Sequence, residues 1–358
     1  MTELFKDFDD RKDFICAIVG KHSMTYEQVC EEILIPMISL DGDREVFTFS
    51  TSGSSGTPKI VYHDAKKFLE KYRVDRPAYT TLVTMKPKHM GGIDAILKTM
   101  YSGGKIIFPE NLQPDTIFTA IDLRNVQVVV ASPSLLKLLA ISGLSTKFDL
   151  SSVEVVAYGS EKMPETFLIK VQEMFKNAKL KQTYGITEIG TLRTHSKGSD
   201  STWMKLVGNE QTRVVDGVLQ IRTDSSFIRY GEGPGPFIED GWYVTGDLVE
   251  QDGEYIRILG RESDIINVGG EKVYPPEIED VISEVPEVVD VLVTGEKNEL
   301  LGQVVVATVY TTSKDTADLK YSIKDHCKER LEKYKIPIKI YFSDEPLITD
   351  RAKKRRKR

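Results

Sequence analysis

The chain has 358 residues, of which 40% are hydrophobic and 28% are charged. This length allows two domains with separate cores, and the composition is typical of a globular protein rather than a disordered or fibrous one. The apolar run 14–19 is too short to cross a bilayer, and the charged N-terminus lacks the layout of a signal peptide. Cys16, Cys30 and Cys327 have neither metal-site nor disulfide spacing, so we expect a reduced cytoplasmic protein without a membrane partner.

The formal net charge is −6, but residues 351–358 carry seven positive charges and no negative charge. A basic tail of this kind can contact nucleic acid, an anionic membrane or an acidic partner, and it can also be a solvated chain end. We interpret residues 351–358 as a solvated chain end, and we do not expect nucleic acid as a partner.

Residues 50–59, STSGSSGTPK, lie between two short apolar runs at 46–49 and 60–62, which predicts a strand, a tight loop and a second strand. Hydroxyl groups, glycines and a closing Lys59 suit the binding of phosphate. The spacing is not that of a P-loop, and a turn or a flexible linker has the same composition.

Strand and helix patterns then alternate, which predicts a mostly parallel sheet with ligands at the carboxyl ends of its strands. The strands are predicted at 79–84, 105–108, 126–131, 153–157 and 180–183, and the helices at 92–100, from 115 and from 132. Residues 184–188 stand at such a carboxyl end.

After Trp203, short strands separated by Gly and Pro predict an antiparallel part. A helix from Pro275, strands at 288–293 and 303–310, and a helix at 319–334 predict a small α+β unit. The predicted fold is therefore α/β, with a large domain at 1–262 that joins a mostly parallel sheet to a small antiparallel part. A mobile α+β domain follows at 263–358.

Five stretches resemble, in order, the sequence signatures of the acyl-adenylate-forming (AMP-binding) superfamily of acyl-CoA synthetases, adenylation domains and luciferases. They are 50–59 (STSGSSGTPK), 184–188 (YGITE), 242–248 (WYVTGDL), 260–279 (GRESDIINVGGEKVYPPEIE) and 349–353 (TDRAK). Residues 24–29 resemble an early family stretch that normally precedes the phosphate loop by a much longer segment. The resemblance therefore implies an abbreviated N-terminal region.

The resemblance also implies roles for particular residues in binding ATP and Mg²⁺. The β- and γ-phosphates would be held by Thr51, Ser52, Gly53, Ser54, Thr57 and Lys59. Thr187 would bond the α-phosphate and Glu188 would hold Mg²⁺, although a Thr-Glu pair is also a common helix cap. Asp247 would bind the ribose and Arg261 the ribose or a phosphate, where the alternatives are a turn residue and a surface ion pair.

Other residues would line the adenine and acyl pockets. The resemblance gives this role to Gly159 and Ser160 and places His89 beside the acyl group. It gives the adenine contact to Tyr184 and counts Gly185 among the cofactor-binding residues. A buried Tyr is often only part of a core, and a loop His is often structural.

The last part of the chain would carry Lys353, the catalytic cation that bridges the carboxylate and the α-phosphate. Rotation about a hinge at Ser263 would then bring Gly269 and Gly270 to the site, where the glycines let a pantetheine arm pass. One departure from the family is Ala352, which stands where a glycine is usual.

The resemblance thus implies an ATP-dependent acid–thiol ligase that makes an acyl-adenylate and then a thioester. The thiol is coenzyme A or the phosphopantetheine of a carrier protein. Ala352 and the abbreviated N-terminal region leave a second hypothesis, a nucleotide- or acyl-binding module without turnover. The segment between His89 and Asp94 shows no clear counterpart of the family's amino-binding Asp, which favours a fatty or aryl acid over an amino acid.

Overall fold

The computed structural model describes residues 3–51, 59–224, 226–231, 237–311, 313–344 and 347. The first strands are β1 (Ile15–Val19), β2 (His22–Thr25), β3 (Ile38–Asp41), β4 (Arg44–Ser50), β5 (Ile60–Asp64), β6 (Thr80–Val83), β7 (Lys105–Phe108), β8 (Val128–Ala131), β9 (Val155–Gly159), β10 (Lys179–Ile186) and β11 (Gly190–Leu192). The next are β12 (Thr194–Ser196), β13 (Met204–Leu206), β14 (Gln211–Val215), β15 (Val218–Arg222), β16 (Phe227–Tyr230), β17 (Tyr243–Asp252) and β18 (Tyr255–Arg261). The last are β19 (Ile266–Val268), β20 (Glu271–Val273), β21 (Val288–Asn298), β22 (Gly302–Thr311) and β23 (Lys339–Ser343).

The α-helices of the described residues are α1 (Tyr26–Val29), α2 (Ala65–Glu70), α3 (Met90–Tyr101), α4 (Pro114–Arg124), α5 (Pro133–Ile141), α6 (Glu165–Met174), α7 (Pro275–Ile282) and α8 (Thr316–Arg330). The opening segment Glu3–Arg11 forms a 3-10 helix. No helix in the described part of the chain is long and apolar enough to span a membrane.

The largest sheet has eight strands in the order β11-β10-β9-β8-β6-β7-β1-β2. Its six inner strands pair in parallel, and β11 and β2 close the two edges antiparallel. Helices α4, α5 and α6 contribute to the core on one face, and α3 contributes to the core on the other. The alternation of strand and helix patterns predicts this arrangement, because parallel strands need crossover connections that cover both faces.

Local sequence signals explain where the helices begin. Helix α5 starts at Pro133 after Ser132, whose Oγ accepts a hydrogen bond from the amide of Leu135 at 3.2 Å. A cap of this type stabilises a helix by about 1 kcal/mol. Helix α7 begins at Pro275, as the sequence predicts.

Two antiparallel sheets extend the large part of the molecule. Six strands pair in the order β12-β13-β18-β17-β15-β14, and four pair in the order β16-β5-β4-β3. In the four-stranded sheet β4 and β5 form a hairpin in which Ser50 pairs with Ile60. The two ends of the hydroxyl-rich loop meet, because the amide of Thr51 donates to the carbonyl of Lys59 at 2.8 Å.

The last part of the chain has its own core, formed by β19–β23 with α7 and α8. Helix α8 ends at Arg330, earlier than the sequence predicts, because the backbone of Leu331 is extended and its side chain packs into this core. The α/β fold class is confirmed, with a mixed, mostly parallel sheet and separate antiparallel parts.

Candidate functional site

Several predicted site residues follow parallel strands of the eight-stranded sheet. Thr187 comes directly after β10, Ser160 directly after β9, and His89 lies in the connection that leaves β6. The carboxyl ends of parallel strands meet at one edge of a sheet, and that edge is where ligands bind in α/β folds. The fold therefore brings these positions to a common edge.

The pair Thr187-Glu188 is held by the four-stranded sheet. His63 Nε2 donates to the carbonyl oxygen of Thr187 at 2.7 Å, and the hydroxyl of Tyr230 donates to Glu188 Oε1 at 2.7 Å. His63 lies on β5 and Tyr230 on the adjacent strand β16. Because β5 also begins just after Lys59, one sheet fixes both the base of the hydroxyl-rich loop and the Thr-Glu pair.

The ring of His63 has a defined protonation state. Its Nδ1 lies 2.9 Å from Ser226 Oγ, and the ring is fully buried among Phe49, Phe68 and Phe227. A carbonyl oxygen only accepts, so Nε2 carries the proton and Nδ1 accepts from the serine hydroxyl. Burial lowers the pKa of His63 to about 4, although the hydrogen bond to Thr187 opposes the shift, so the ring is neutral at pH 7.

Glu188 is 7% exposed, and its environment keeps it oriented. Burial and the Glu188 carboxylate both raise the pKa of Tyr230, and the pKa of Tyr243 is raised in the same way, so both phenols stay protonated. The ammonium of Lys59 lies 5.0 Å from the centre of the Tyr230 ring. A cation at that distance from an aromatic face is attracted to it. Lys59 and Glu188 therefore both contact Tyr230.

The donor set suits Mg²⁺ rather than a metal enclosed by protein ligands. The described residues contain no group of three or more His, Cys, Asp or Glu side chains placed to hold a metal ion. Mg²⁺ keeps several waters and is usually bound by one or two carboxylates together with substrate phosphates. A single carboxylate, Glu188, beside a predicted phosphate site fits that pattern.

Asp247 and Arg261 face each other on β17 and β18, where they are direct partners in the register. Arg261 Nε lies 2.7 Å from Asp247 Oδ1, and the hydroxyl of Tyr184 donates to Oδ2 at 2.6 Å. Burial raises the pKa of the Asp247 carboxyl, while Arg261 and Tyr184 oppose the shift. A carboxylate has about four acceptor positions, so the two contacts leave capacity for a pair of vicinal hydroxyls.

Tyr184 is 8% exposed and packs in the apolar cluster that includes Ile186, Leu219 and Tyr243. This packing agrees with the alternative that Tyr184 is part of the core. Stacking of Tyr184 on adenine stays a prediction. The neighbouring Gly185 has no room for a side chain, because a β-carbon there would lie 2.8 Å from the Cα of Thr191.

The turn after β9 is tightly constrained. A β-carbon on Gly159 would lie 2.3 Å from Thr183 Oγ1, and Ser160 has a φ of +72°. Non-glycine residues rarely adopt that conformation, and such strain often occurs at binding sites. Glu161 fixes the same turn by accepting from the hydroxyl of Ser134 at 2.5 Å. The role of Gly159 and Ser160 in lining a pocket stays a prediction.

His89 is the N-cap residue of α3, and its side chain is half-buried. The start of this helix lies near the Thr-Glu pair, because a β-carbon placed on Gly190 would lie 4.0 Å from the sulfur of Met90. The role of His89 beside an acyl group stays a prediction.

Asp94, further along α3, is 5% exposed and is bound by cations of the protein. Its carboxylate lies 2.5 Å from the ammonium of Lys98 and 3.5 Å from that of Lys71, and it accepts from the hydroxyl of Tyr72 at 3.1 Å. The carboxylate is therefore engaged within the protein.

The glycines predicted to admit a pantetheine arm lie between β19 and β20. Gly269 and Gly270 have positive φ angles of +61° and +95°, and the amide of Gly269 donates to the carbonyl of Leu301 at 2.9 Å. Ser263 lies in the 3-10 turn Glu262–Asp264 that follows β18. The roles of the two glycines and of the hinge stay predictions.

Five predicted site residues lie outside the described residues. They are Ser52, Gly53, Ser54, Thr57 and Lys353.

Two residues that orient the Thr-Glu pair, His63 and Tyr230, were not predicted from the sequence. His63 contacts a residue 124 positions away, and Tyr230 contacts one 42 positions away. The one local sign that His63 has a specific role is that it is a buried polar residue on the otherwise largely apolar strand β5. Tyr230 gave no signal, because a tyrosine in a strand is ordinary.

Comparison with known proteins finds two family profiles, which match separate parts of the chain. The sequence profile described as "AMP-binding enzyme" matches residues 11–221, and the profile described as "AMP-binding enzyme C-terminal domain" matches 277–354. The chain is 27% identical over 322 residues to the indoleacetate–CoA ligase of Aromatoleum aromaticum, covering 82% of this chain and 62% of that protein. It is 30% identical over 321 residues to the 2-succinylbenzoate–CoA ligase of Bacillus cytotoxicus, covering 82% and 65%. The chain thus spans somewhat less than two thirds of the length of these relatives.

Solved structures show the same fold. The anthranilate CoA ligase AuaEII in complex with anthranoyl-AMP superposes with a TM-score of 0.81 at 17% identity, covering 98% of this chain and 94% of that chain. A variant of E. coli MenE with bound OSB-AMS gives a TM-score of 0.76 at 15% identity, covering 98% and 95%. Since the first profile matches more than half of the sequence, the chain belongs to the AMP-binding enzyme family.

Proposed function

We propose that this protein is an ATP-dependent acid–thiol ligase that converts a carboxylic acid to an acyl-adenylate and then to a thioester, with coenzyme A as the thiol. The observation that carries the proposal is the attachment of Thr187-Glu188 to the sheet that bears the hydroxyl-rich loop. Tyr230 links two of the proposed ligands, because its hydroxyl donates to the Glu188 carboxylate and its ring centre lies 5.0 Å from the Lys59 ammonium. The names of the CoA ligases among the relatives support the same reaction class.

The first half-reaction joins two anions, so it depends on positioning and on electrostatic stabilisation. An oxygen of the substrate carboxylate attacks the α-phosphorus of ATP, the bond to the bridging oxygen breaks, and pyrophosphate leaves. Thr51 and Lys59 would hold the β- and γ-phosphates, and the Thr187 hydroxyl would donate to an α-phosphate oxygen. Asp247, oriented by Arg261, would accept from the ribose hydroxyls.

Mg²⁺ held by Glu188 would neutralise charge on the phosphates. Lys353, outside the described residues, would supply the cation between the carboxylate and the α-phosphate. In the second half-reaction the thiol attacks the acyl carbon, AMP leaves, and the thiol proton passes to solvent or to a base.

We also propose that the chain divides at Ser263 and that the part after it rotates between the two half-reactions. Lys162 Nζ lies 2.7 Å from Asp280 Oδ2, a contact that joins the turn after β9 to helix α7. Rotation about Ser263 would break this ion pair. Gly269 and Gly270 would then admit the pantetheine arm.

The substrate we propose is an aryl or fatty acid rather than an amino acid. The carboxylate of Asp94 is already bound by Lys98, Lys71 and Tyr72, so it is not available for a substrate ammonium group. The relatives include ligases named for indoleacetate, 2-succinylbenzoate and long-chain fatty acids, which agrees with this choice. Use of ATP and coenzyme A fits a cytoplasmic location, which is part of the proposal.

The test is the release of pyrophosphate from ATP and Mg²⁺ with a panel of aryl, fatty and amino acids. Coenzyme A and a phosphopantetheinylated carrier protein are compared as acceptors in the second step. Lys353→Ala should abolish acid-dependent release, and the neighbouring Lys354→Ala serves as the matched control that should retain it. ATP binding without release from any acid would favour the binding module instead.

A further inference from the structure

One buried histidine links the two segments that would hold the phosphates. His63 lies on β5, four positions after Lys59, and it is fully buried. Its Nε2–H donates to the carbonyl oxygen of Thr187 at 2.7 Å, while Nδ1 accepts from the hydroxyl of Ser226 at 2.9 Å. Both ring nitrogens are therefore used, and they join three separate parts of the chain.

The contact spans two sheets. Thr187 follows the eight-stranded sheet, and the pairing of β10 with β11 ends at Ile186. Beyond that point the carbonyl of Thr187 takes a hydrogen bond from a side chain of the four-stranded sheet instead of from a strand partner. The distance between Thr187 and the start of β5, just after Lys59, therefore depends on this side chain.

The surroundings make the contact hard to replace. The rings of Phe49 and Phe68 lie 5.5 Å from the His63 ring, and Phe227 lies 6.3 Å away, all centroid to centroid. Water does not readily enter an apolar site of this kind to substitute for a lost donor. If the donor were removed, the Thr187 carbonyl would have to move to find another partner.

We propose that His63 is a positioning residue that sets the distance between Thr187 and the base of the hydroxyl-rich loop at Thr51 and Lys59, and so aligns the α-phosphate with the β- and γ-phosphates. The inference rests on the proposed function, because it uses Thr187 as the α-phosphate ligand. His63 itself touches neither ATP nor the acid in this proposal. It acts through the backbone of Thr187.

Three variants separate positioning from simple destabilisation. His63→Leu removes the donor and keeps an apolar side chain of similar size. His63→Gln keeps an N–H donor near the position of Nε2. Val61→Ala removes apolar volume from the same strand, at a residue that is also fully buried, and leaves the Thr187 contact intact.

The readouts are the melting temperature and the kcat and KM of acid-dependent pyrophosphate release. Misplacement of a reacting group by about 1 Å can cost about 10²-fold in rate. We expect His63→Leu to lower kcat by about 10²-fold while the KM of the acid changes by less than about twofold, since no acid contact is lost. His63→Gln should recover at least about tenfold of that loss in kcat. Val61→Ala should lower the melting temperature and keep kcat within about twofold of the wild-type value.

The proposal is overturned if His63→Leu keeps the wild-type kcat, if Val61→Ala loses as much kcat at a similar melting temperature, or if His63→Gln matches His63→Leu. Should His63→Leu fail to fold, His63→Gln decides: a kcat within about tenfold of wild type supports the proposal, and a larger loss contradicts it.

The binding of Mg²⁺·ATP, measured by calorimetry, separates failure of this inference from failure of the proposed function. If the wild type binds ATP but activates no acid, the proposed function fails. His63→Leu must then still weaken ATP binding by about tenfold, the equivalent of one hydrogen bond, or this inference fails too. If the wild type does not bind ATP, both fail together.

Discussion

The buried, neutral His63 should make the stability of this protein depend on pH in a predictable way. Its pKa is lowered from 6.5 to about 4 by burial. The unfolded chain takes up a proton at this site below pH 6.5, whereas the folded chain does so near pH 4. The free energy of unfolding should therefore fall as the pH drops from 6.5 to 4, and this shift corresponds to a loss of about 3 kcal/mol.

The assay compares wild type with His63→Gln, which cannot take up this proton. Urea unfolding is followed at intervals between pH 7 and pH 4, and the difference in unfolding free energy between the two proteins is plotted against pH. Other groups titrate equally in both proteins and cancel in the difference. We expect wild type to lose about 3 kcal/mol relative to the variant over this interval.

Two curves that stay parallel from pH 7 to pH 4 would refute this reasoning, because they would mean that His63 titrates alike in the folded and unfolded states.

Three further predictions concern side chains around the site. Tyr230→Phe removes the donor to Glu188, so we expect kcat to fall by about tenfold. The Mg²⁺ concentration for half-maximal activity, measured by Mg²⁺ titration, should rise. An unchanged Mg²⁺ dependence would contradict the orienting role of Tyr230. Asp247→Asn should raise the KM for ATP by at least about tenfold, measured by steady-state kinetics with saturating acid, and an unchanged KM would remove this residue from the ribose site. Lys162→Ala breaks the contact with Asp280, a pair worth about 1 kcal/mol, so the rates of adenylation and thioester formation should shift by up to about fivefold in opposite directions. Equal changes in both half-reactions, measured separately by rapid quench, would exclude a role for this pair in domain orientation.

Local patterns in the sequence predict much of the fold. The alternation from Tyr79 onward predicts the parallel sheet, because each buried strand and each amphipathic helix leaves its own periodic signal. The hairpin around residues 50–59 follows from two apolar runs that flank a loop rich in Gly and Ser. The predicted end of α8 was wrong, because Leu331 continues the apolar pattern of the helix while its backbone is already extended.

The site is only partly visible in the sequence. Short motifs identify Thr187, Glu188 and Asp247 as candidates, because the chemistry and the spacing lie within a few residues. The contacts that fix them lie elsewhere in the chain, as with His63 and Tyr230, and they depend on which strands become neighbours. Strand order is a property of the whole fold, which local periodicity does not specify.

Burial changes the interpretation of residues that the sequence alone leaves ambiguous. Tyr184 is a candidate stacking surface by its position, and the fold packs it in a core and directs its hydroxyl to Asp247. Asp94 is an acid near the predicted acyl pocket, and the fold binds it to Lys98 and Lys71. In both cases the partner is set by packing between elements rather than by neighbours in sequence.

The most direct test of the central claim is a crystal structure of the protein with ATP and Mg²⁺. We expect the β- and γ-phosphates along residues 51–59, an α-phosphate oxygen within hydrogen-bond distance of the Thr187 hydroxyl, and the ribose hydroxyls at the carboxylate of Asp247. A nucleotide bound anywhere else, or one whose ribose faces away from Asp247, would contradict the account.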